Sequence, residues 1–281
     1  MPATTDPAEP HLPTSAPGPG LCTYATAELD SALAHLAWRG GRVHEGVHLA
    51  RKALRRTRAA LALGVAALGA QSQRIDKRLR RLNRGLSLLR DAQALVETLD
   101  RLIRSDYGDA AITLLQSARR EAAARRIEVA QRILGADPAL GERRSALRAL
   151  RAALAALPWE ALTTAQIDTE REHAQRRLHD ARLRALNSDV DDDWHRWRRR
   201  ARRVSQQRRA LTAIGVDPDH LKGDDGFDKR TTERLGAAQD LTLLIDHCGR
   251  DSPFSKPHRA ALQAFAKPEL ARLRRKIAAA R

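Results

Sequence analysis

A chain of 281 residues with 51 Lys and Arg against 34 Asp and Glu carries a formal net charge of +17 and a sequence pI of about 11.2, so the expected partner is a polyanion. The length suffices for one large or two modest cores without covalent staples. Cys22 and Cys248 stand far apart and outside any C-x-x-C spacing, which excludes a disulfide framework and a cysteine-built zinc site.

Residues 1–20 hold Pro2, Pro7, Pro10, Pro13, Pro17 and Pro19, a composition that predicts a flexible tail. The same stretch has no Lys, Arg or apolar run and does not read as a signal peptide. From Leu21 onward the chain is rich in Ala, Leu, Arg and Glu, with apolar residues at helical spacing and no alternating β-branched runs, so an all-α fold is expected. Breakers predict helices over Tyr24–Trp38, Val43–Leu68, Gln73–Arg104, Gly108–Leu134, Pro138–Leu157, Thr163–Leu186, Asp191–Ile214, Phe227–His247 and Lys256–Ala280. The longest apolar run, Ala59 to Ala70, is too short to span a membrane. A soluble, cytoplasmic protein is expected.

The stretch HEGVH, His44 to His48, matches the H-E-x-x-H pattern of zinc proteases. That chemistry needs two histidines one helical turn apart, the Glu as general base and a third ligand. The metzincin extension fails, because Arg51 and Leu54 stand where Gly and His are required. Glu97 is a conceivable third ligand, but Arg51, Lys52 and Arg55 would oppose a dication, and Gly46 weakens the helix. No metal or other cofactor is expected. The acidic run Asp189–Asp193 begins like a calcium loop but has Trp194 and Arg200 where Gly and Glu are needed, so it reads as the negatively charged start of a helix.

The arginines carry a stronger pattern. At about 100° per residue, His48, Arg51, Lys52 and Arg55 share one helix face, with Arg56 following, while Ala50, Ala53, Thr57 and Leu61 lie opposite. His195, Arg198, Arg199, Arg202 and Arg203 repeat the order, with Trp197, Ala201 and Val204 on the apolar side. The offset is 195 − 48 = 147 residues, and the downstream Asp91 and Asp240 keep an offset of 240 − 91 = 149, which indicates a tandem duplication of a helical unit. The following helix of the first half adds Arg74, Lys77, Arg78, Arg81 and Arg84 opposite Ile75, Leu79, Leu82 and Leu86. Its thinner counterpart brings Lys229, Arg230 and Arg234. Unrelieved like charge at i, i+3, i+4 and i+7 destabilises a helix unless an anion is present. Arg119, Arg120, Arg125 and Arg126 read as a solvated face and Arg90 as half of a structural ion pair.

His48-x-x-Arg51-Lys52-x-x-Arg55-Arg56-x-Arg58, its echo from His195 to Arg203, and the Arg90-Asp91 and Gly236-to-Asp240 landmarks resemble the conserved-histidine α-helical domain, CHAD, over about Leu21 to Ala280. The resemblance implies two four-helix bundles about a pseudo-twofold axis, with a basic central channel between them. The first repeat would span about 21–157 and the second about 158–281. It further implies non-catalytic binding of inorganic polyphosphate at polyphosphate granules, with other polyanions and granule-associated proteins as further partners. His48, Arg51, Arg55, His195, Arg198 and Arg202 would line the channel. Ser87, Ser205, Gln206 and Gln239 depart from the family pattern. No triphosphate-tunnel signature accompanies it, and no enzymatic activity is expected. The alternatives are a general nucleic-acid-binding protein, disfavoured by an aromatic content of 3%, and, more remotely, the zinc protease.

Overall fold

The computed structural model describes residues 17–216 and 229–279, and every α-helix or 3-10 turn among them is joined by loops with no strand. Helices run α1 Pro17–Leu36, α2 Val43–Leu61, α3 Gly69–Gly85, α4 Ser87–Ile103 and α5 Asp109–Ala136. They continue as α6 Gly141–Ala155, α7 Thr164–Leu186, α8 Asp191–Ala213, α9 Lys229–His247 and α10 Lys256–Ala278. The fold is all-α.

Three boundaries differ most from expectation. Helix α1 begins at Pro17, not after residue 20. Both prolines fit its first turn, where backbone N–H groups have no helical partner, and Gly18 lies so close to the Trp159 carbonyl that a Cβ there would approach its oxygen to 1.8 Å. The helix expected from Gln73 to Arg104 breaks at Leu86, whose φ of −94° and ψ of −1° leave the helical range, and whose buried side chain anchors the bend in the core. Helix α2 stops at Leu61 rather than Leu68, and Leu63 and Leu68 are buried from the turns that follow. Residues 1–16 of the expected tail, the expected helix start at Phe227 and the chain beyond Ala279 lie outside the described residues.

Apolar spacing sorts the helices into two cores. One gathers Leu21, Leu29, Val47, Leu54, Ile75, Leu79, Leu89, Leu147, Leu154 and Trp159. The other gathers Leu95, Leu99, Leu115, Leu178, Trp194, Trp197, Leu235, Leu244, Phe254 and Leu262. Helices α4, α5, α7 and α8 contribute to both, Ala210 and Leu211 of α8 reaching into the first while Trp194 to Val204 serve the second. Gly46 has a role that the sequence hid: a Cβ there would lie 2.3 Å from the His35 carbonyl oxygen, so its absence lets α1 and α2 pack closely, at the helix-propensity cost of glycine. Helices in equivalent positions of the two sequence repeats pack against each other, α2 on α8 and α4 on α9.

Candidate anion-binding site

Helix α2 buries Ala50, Ala53, Leu54 and Thr57, and α8 buries Trp194, Trp197, Ala201 and Val204. Those faces orient the basic residues at i and i+4 toward the place where the two helices meet. Arg51 and Arg55 from α2 face Arg198 and Arg202 from α8, each half-buried. The Arg51 Nη1 donates to the Asn83 carbonyl at 2.6 Å. Among the described residues, Arg55, Arg198 and Arg202 make no hydrogen bond or ion pair, and the Nε groups of Arg51 and Arg55 are buried without a partner.

This crowding disfavours the charges. Burial first, then Arg202, Arg51, Arg198 and Arg90, pushes the Arg55 pKa down to about 9. Burial and Arg202 bring Arg198 to about 10 against the pull of Asp240. Burial lowers Arg202 against the pull of Asp240, and lowers Arg51 against that of Asp91. Two carboxylates therefore stand by five guanidiniums, and neither neutralises the cluster. Asp240 is engaged by Arg101 at 2.5 Å, and burial raises the Asp91 pKa despite Arg51, His247 and Arg90 nearby. The arrangement is a desolvated set of forked donors with too few acceptors, whose charge and geometry are complementary to a multiply charged oxyanion.

The two histidines frame the cluster. His48 is half-buried, and burial followed by Arg90 lowers its pKa. It lines a depression of about 710 Å³ together with His44, Gln93, Glu97 and Arg126. His195 shares a hydrogen bond between its Nδ1 and the Gln239 side-chain oxygen. The family model of the CHAD domain matches residues 23–249. The chain belongs to the CHAD family. Among solved structures it is similar to PptA from Streptomyces chartreusis, at 22% identity and a TM-score of 0.61, over 95% of this chain and 99% of that one. It is likewise similar to the crystal structure of the CHAD domain from the plant Ricinus communis, at 19% identity and a TM-score of 0.60, over 95% and 93% of the two chains. No curated protein matches.

Within this CHAD domain the remaining basic residues expected at the site are dispersed. Arg56 donates to the buried Glu28 at 3.1 and 3.3 Å, tying α2 to α1. Arg203 points away from Arg198 and Arg202 toward a separate pocket. Lys52 and Arg199 are exposed beside the cluster, with Arg199 3.9 Å from Asp192. Arg74, Lys77, Arg78 and Arg81 form an exposed basic face on α3. Arg230 is exposed, Arg234 donates to the Lys276 carbonyl at 3.3 Å, and the side chain of Lys229 lies outside the described residues. Arg90 does hold an ion pair, with Glu97 at 2.7 Å, and it also joins the cluster, which its place near the apolar side of α4 concealed. Arg126, expected on a solvated face, is half-buried, its Nη1 bonded to Gln93 at 3.1 Å.

Glu97 lies in the same depression as His44 and His48 but is held by Arg90 and by Gln93 at 2.7 and 3.1 Å. Among the described residues no three His, Cys, Asp or Glu side chains gather as a metal site. The acidic run starts α8, with Asp191, Asp192 and Asp193 in its first turn. No helix among the described residues is long and apolar enough to cross a membrane.

Proposed function

We propose that this CHAD domain binds inorganic polyphosphate without cleaving it, the phosphate chain lying in a basic channel between α2 and α8, and that it does so at polyphosphate granules. The two repeats face that channel about a pseudo-twofold axis, so that a repeating ligand meets a repeating site. The observation that carries this reading is the half-buried cluster of Arg55, Arg198 and Arg202, which has no anionic partner bonded to it among the described residues. Guanidinium forks match phosphate oxygens two at a time, and charge-assisted bonds of roughly 1.5 to 3 kcal/mol each accumulate along a polymer of phosphates. An aromatic content of 3% leaves the chain few rings on which to stack a base.

Competition for a labelled long-chain polyphosphate tests the reading. Unlabelled polyphosphate should displace the probe far below the concentration of single-stranded RNA or duplex DNA of equal charge, and the recovered polymer should keep its length. Arg55→Met and Arg202→Met should each abolish tight binding. Equal displacement by RNA supports a general nucleic-acid binder instead, and shortening of the polymer supports an enzyme.

A further inference from the structure

A second basic pocket opens on the far side of α8. Counting about 100° per residue from Arg198, Arg202 lies roughly 40° round the helix, but Arg203 lies at roughly 140° and Arg200 at roughly 200°. Those two arginines and Gln207 of α8, with Arg177 and Glu170 of α7, line a pocket of about 350 Å³ closed by the end of α2 and the start of α3. Its wall is apolar on one side, formed by Leu61, Val65 and Ala174, and carries Ser72, Gln73 and Asp76 on the other.

The charge inventory is uneven. Arg58 is neutralised by Asp76 through bonds of 2.8 and 3.0 Å. Arg177, Arg200 and Arg203 make no ion pair among the described residues, and the lining carboxylates are Glu170 and Asp76, the latter already bonded to Arg58. Burial lowers the pKa of both Arg200 and Arg203, with the like charge of Arg177 adding to it at each and Asp76 opposing it at Arg203. A phosphomonoester carries a charge of roughly −1.5 to −2 at neutral pH, which matches this surplus. The remaining lining offers amide and carboxylate acceptors for hydroxyls, and an apolar wall for C–H faces, but no aromatic ring.

We propose that this pocket binds a small phosphomonoester with a hydroxylated body, of the sugar-phosphate class, its phosphate held by Arg177, Arg200 and Arg203. The site is separate from the polyphosphate cluster and goes beyond that reading, since the two sets of arginines project from different sides of α8.

Isothermal titration of the full chain with ribose 5-phosphate, ribose and inorganic phosphate tests the assignment. Ribose 5-phosphate should bind saturably, ribose should not bind, and inorganic phosphate should bind roughly tenfold more weakly or worse. Arg177→Gln and Arg200→Gln should each weaken ribose 5-phosphate by roughly tenfold, the loss of one charge-assisted contact. Arg55→Met should leave this binding intact while abolishing that of polyphosphate. The proposal falls if the native chain shows no saturable binding, if inorganic phosphate binds as well as its ester, or if Arg55→Met removes the binding that the two Gln variants spare. Arg177 is exposed, so its variant decides the matter even if Arg200→Gln misfolds.

Discussion

His48 and His195 occupy the same position in equivalent helices, yet their neighbours differ in charge. With the offset of 149 residues, Gln239 stands where Arg90 stands, and Asp246 where Glu97 stands. In the first half Arg90 binds Glu97 at 2.7 Å and bears on both His48 and the arginine cluster. In the second half Gln239 bonds to His195, and burial together with Asp191 raises the pKa of Asp246. One substitution has thus changed an electrostatic contribution into a positional one. The first half adds a cation to the cluster and balances it with Glu97; the second fixes a ring and leaves a carboxylate without that balance. The two stretches share the four central arginines while the surroundings of those arginines differ.

The comparison breaks most sharply at the arginines that the halves share. Arg55→Glu and Arg202→Glu should each weaken polyphosphate by roughly a hundredfold or more, because each places a like charge beside the ligand in a poorly solvated site. The two losses should be similar, and fluorescence polarisation at several salt concentrations measures them. A large loss from one and little from the other would show the halves acting separately. Neutral Arg55→Ala and Arg202→Ala should flatten the dependence of log K on log salt by roughly 0.7 each, the counterion released per contact on a flexible strand. Exposed Arg104→Ala serves as the control and should not.

Exchanging the divergent position sharpens the contrast. Gln239→Arg should tighten polyphosphate several-fold and Arg90→Gln should weaken it comparably at low salt, with both effects fading as salt screens them. Removing a crowded cation also acts on the fold. Ligand-free Arg55→Met should melt about 2–4 °C higher, the shift expected for roughly 1 kcal/mol in a protein of this size.

The pH response is smaller and its sign follows from burial. His48, His44 and His247 all have lowered pKa values, with burial as the leading cause. As pH falls below the ordinary histidine value, the unfolded chain takes up protons that the native state refuses, so ligand-free stability declines until the native rings also protonate. Bound polyphosphate should reverse the preference at His48 by supplying anions. Affinity should therefore rise from pH 8 to pH 6, and His48→Gln should blunt that rise; a melting series with and without ligand tests both arms. The smallest expected effect is none at all. Asp191 stands where His44 would repeat, so a zinc ion on His44 and His48 would be a difference the second half cannot share. EDTA should leave melting temperature and binding unchanged, and one zinc per chain in metal analysis would overturn that.

The all-α class and the apolar backs of α2 and α8 were legible because they depend on periodicity, and the burial of Trp197 and Ala53 follows from the same arithmetic. Which arginines gather was only half legible. Arg51, Arg55, Arg198 and Arg202 lie near enough to bear on one another's charge, a gathering expected from the family resemblance and not from local spacing, but Arg56 is committed to Glu28 from a different helix, and no local spacing reveals a partner 28 residues away. Gly46 read as a weakness because propensity sees only the helix it interrupts, while the His35 carbonyl that requires it belongs to α1. The break at Leu86 has only Asn83 and Gly85 as local marks, set against helical periodicity on both sides, and the buried Leu86 side chain fixes it by packing.

Helix α8 is anchored at its two ends in different cores, with Ala210 and Leu211 in one and Trp194 to Val204 in the other. It behaves as a beam common to two rooms: neither can come down while the other stands. Melting should accordingly proceed as one calorimetric transition, with equal van't Hoff and calorimetric enthalpies. For the same reason residues 158–281 expressed alone would leave the Ala210–Leu211 end of this beam in water, and residues 21–157 alone would lack the beam, so neither stretch is expected to stand as a removable part.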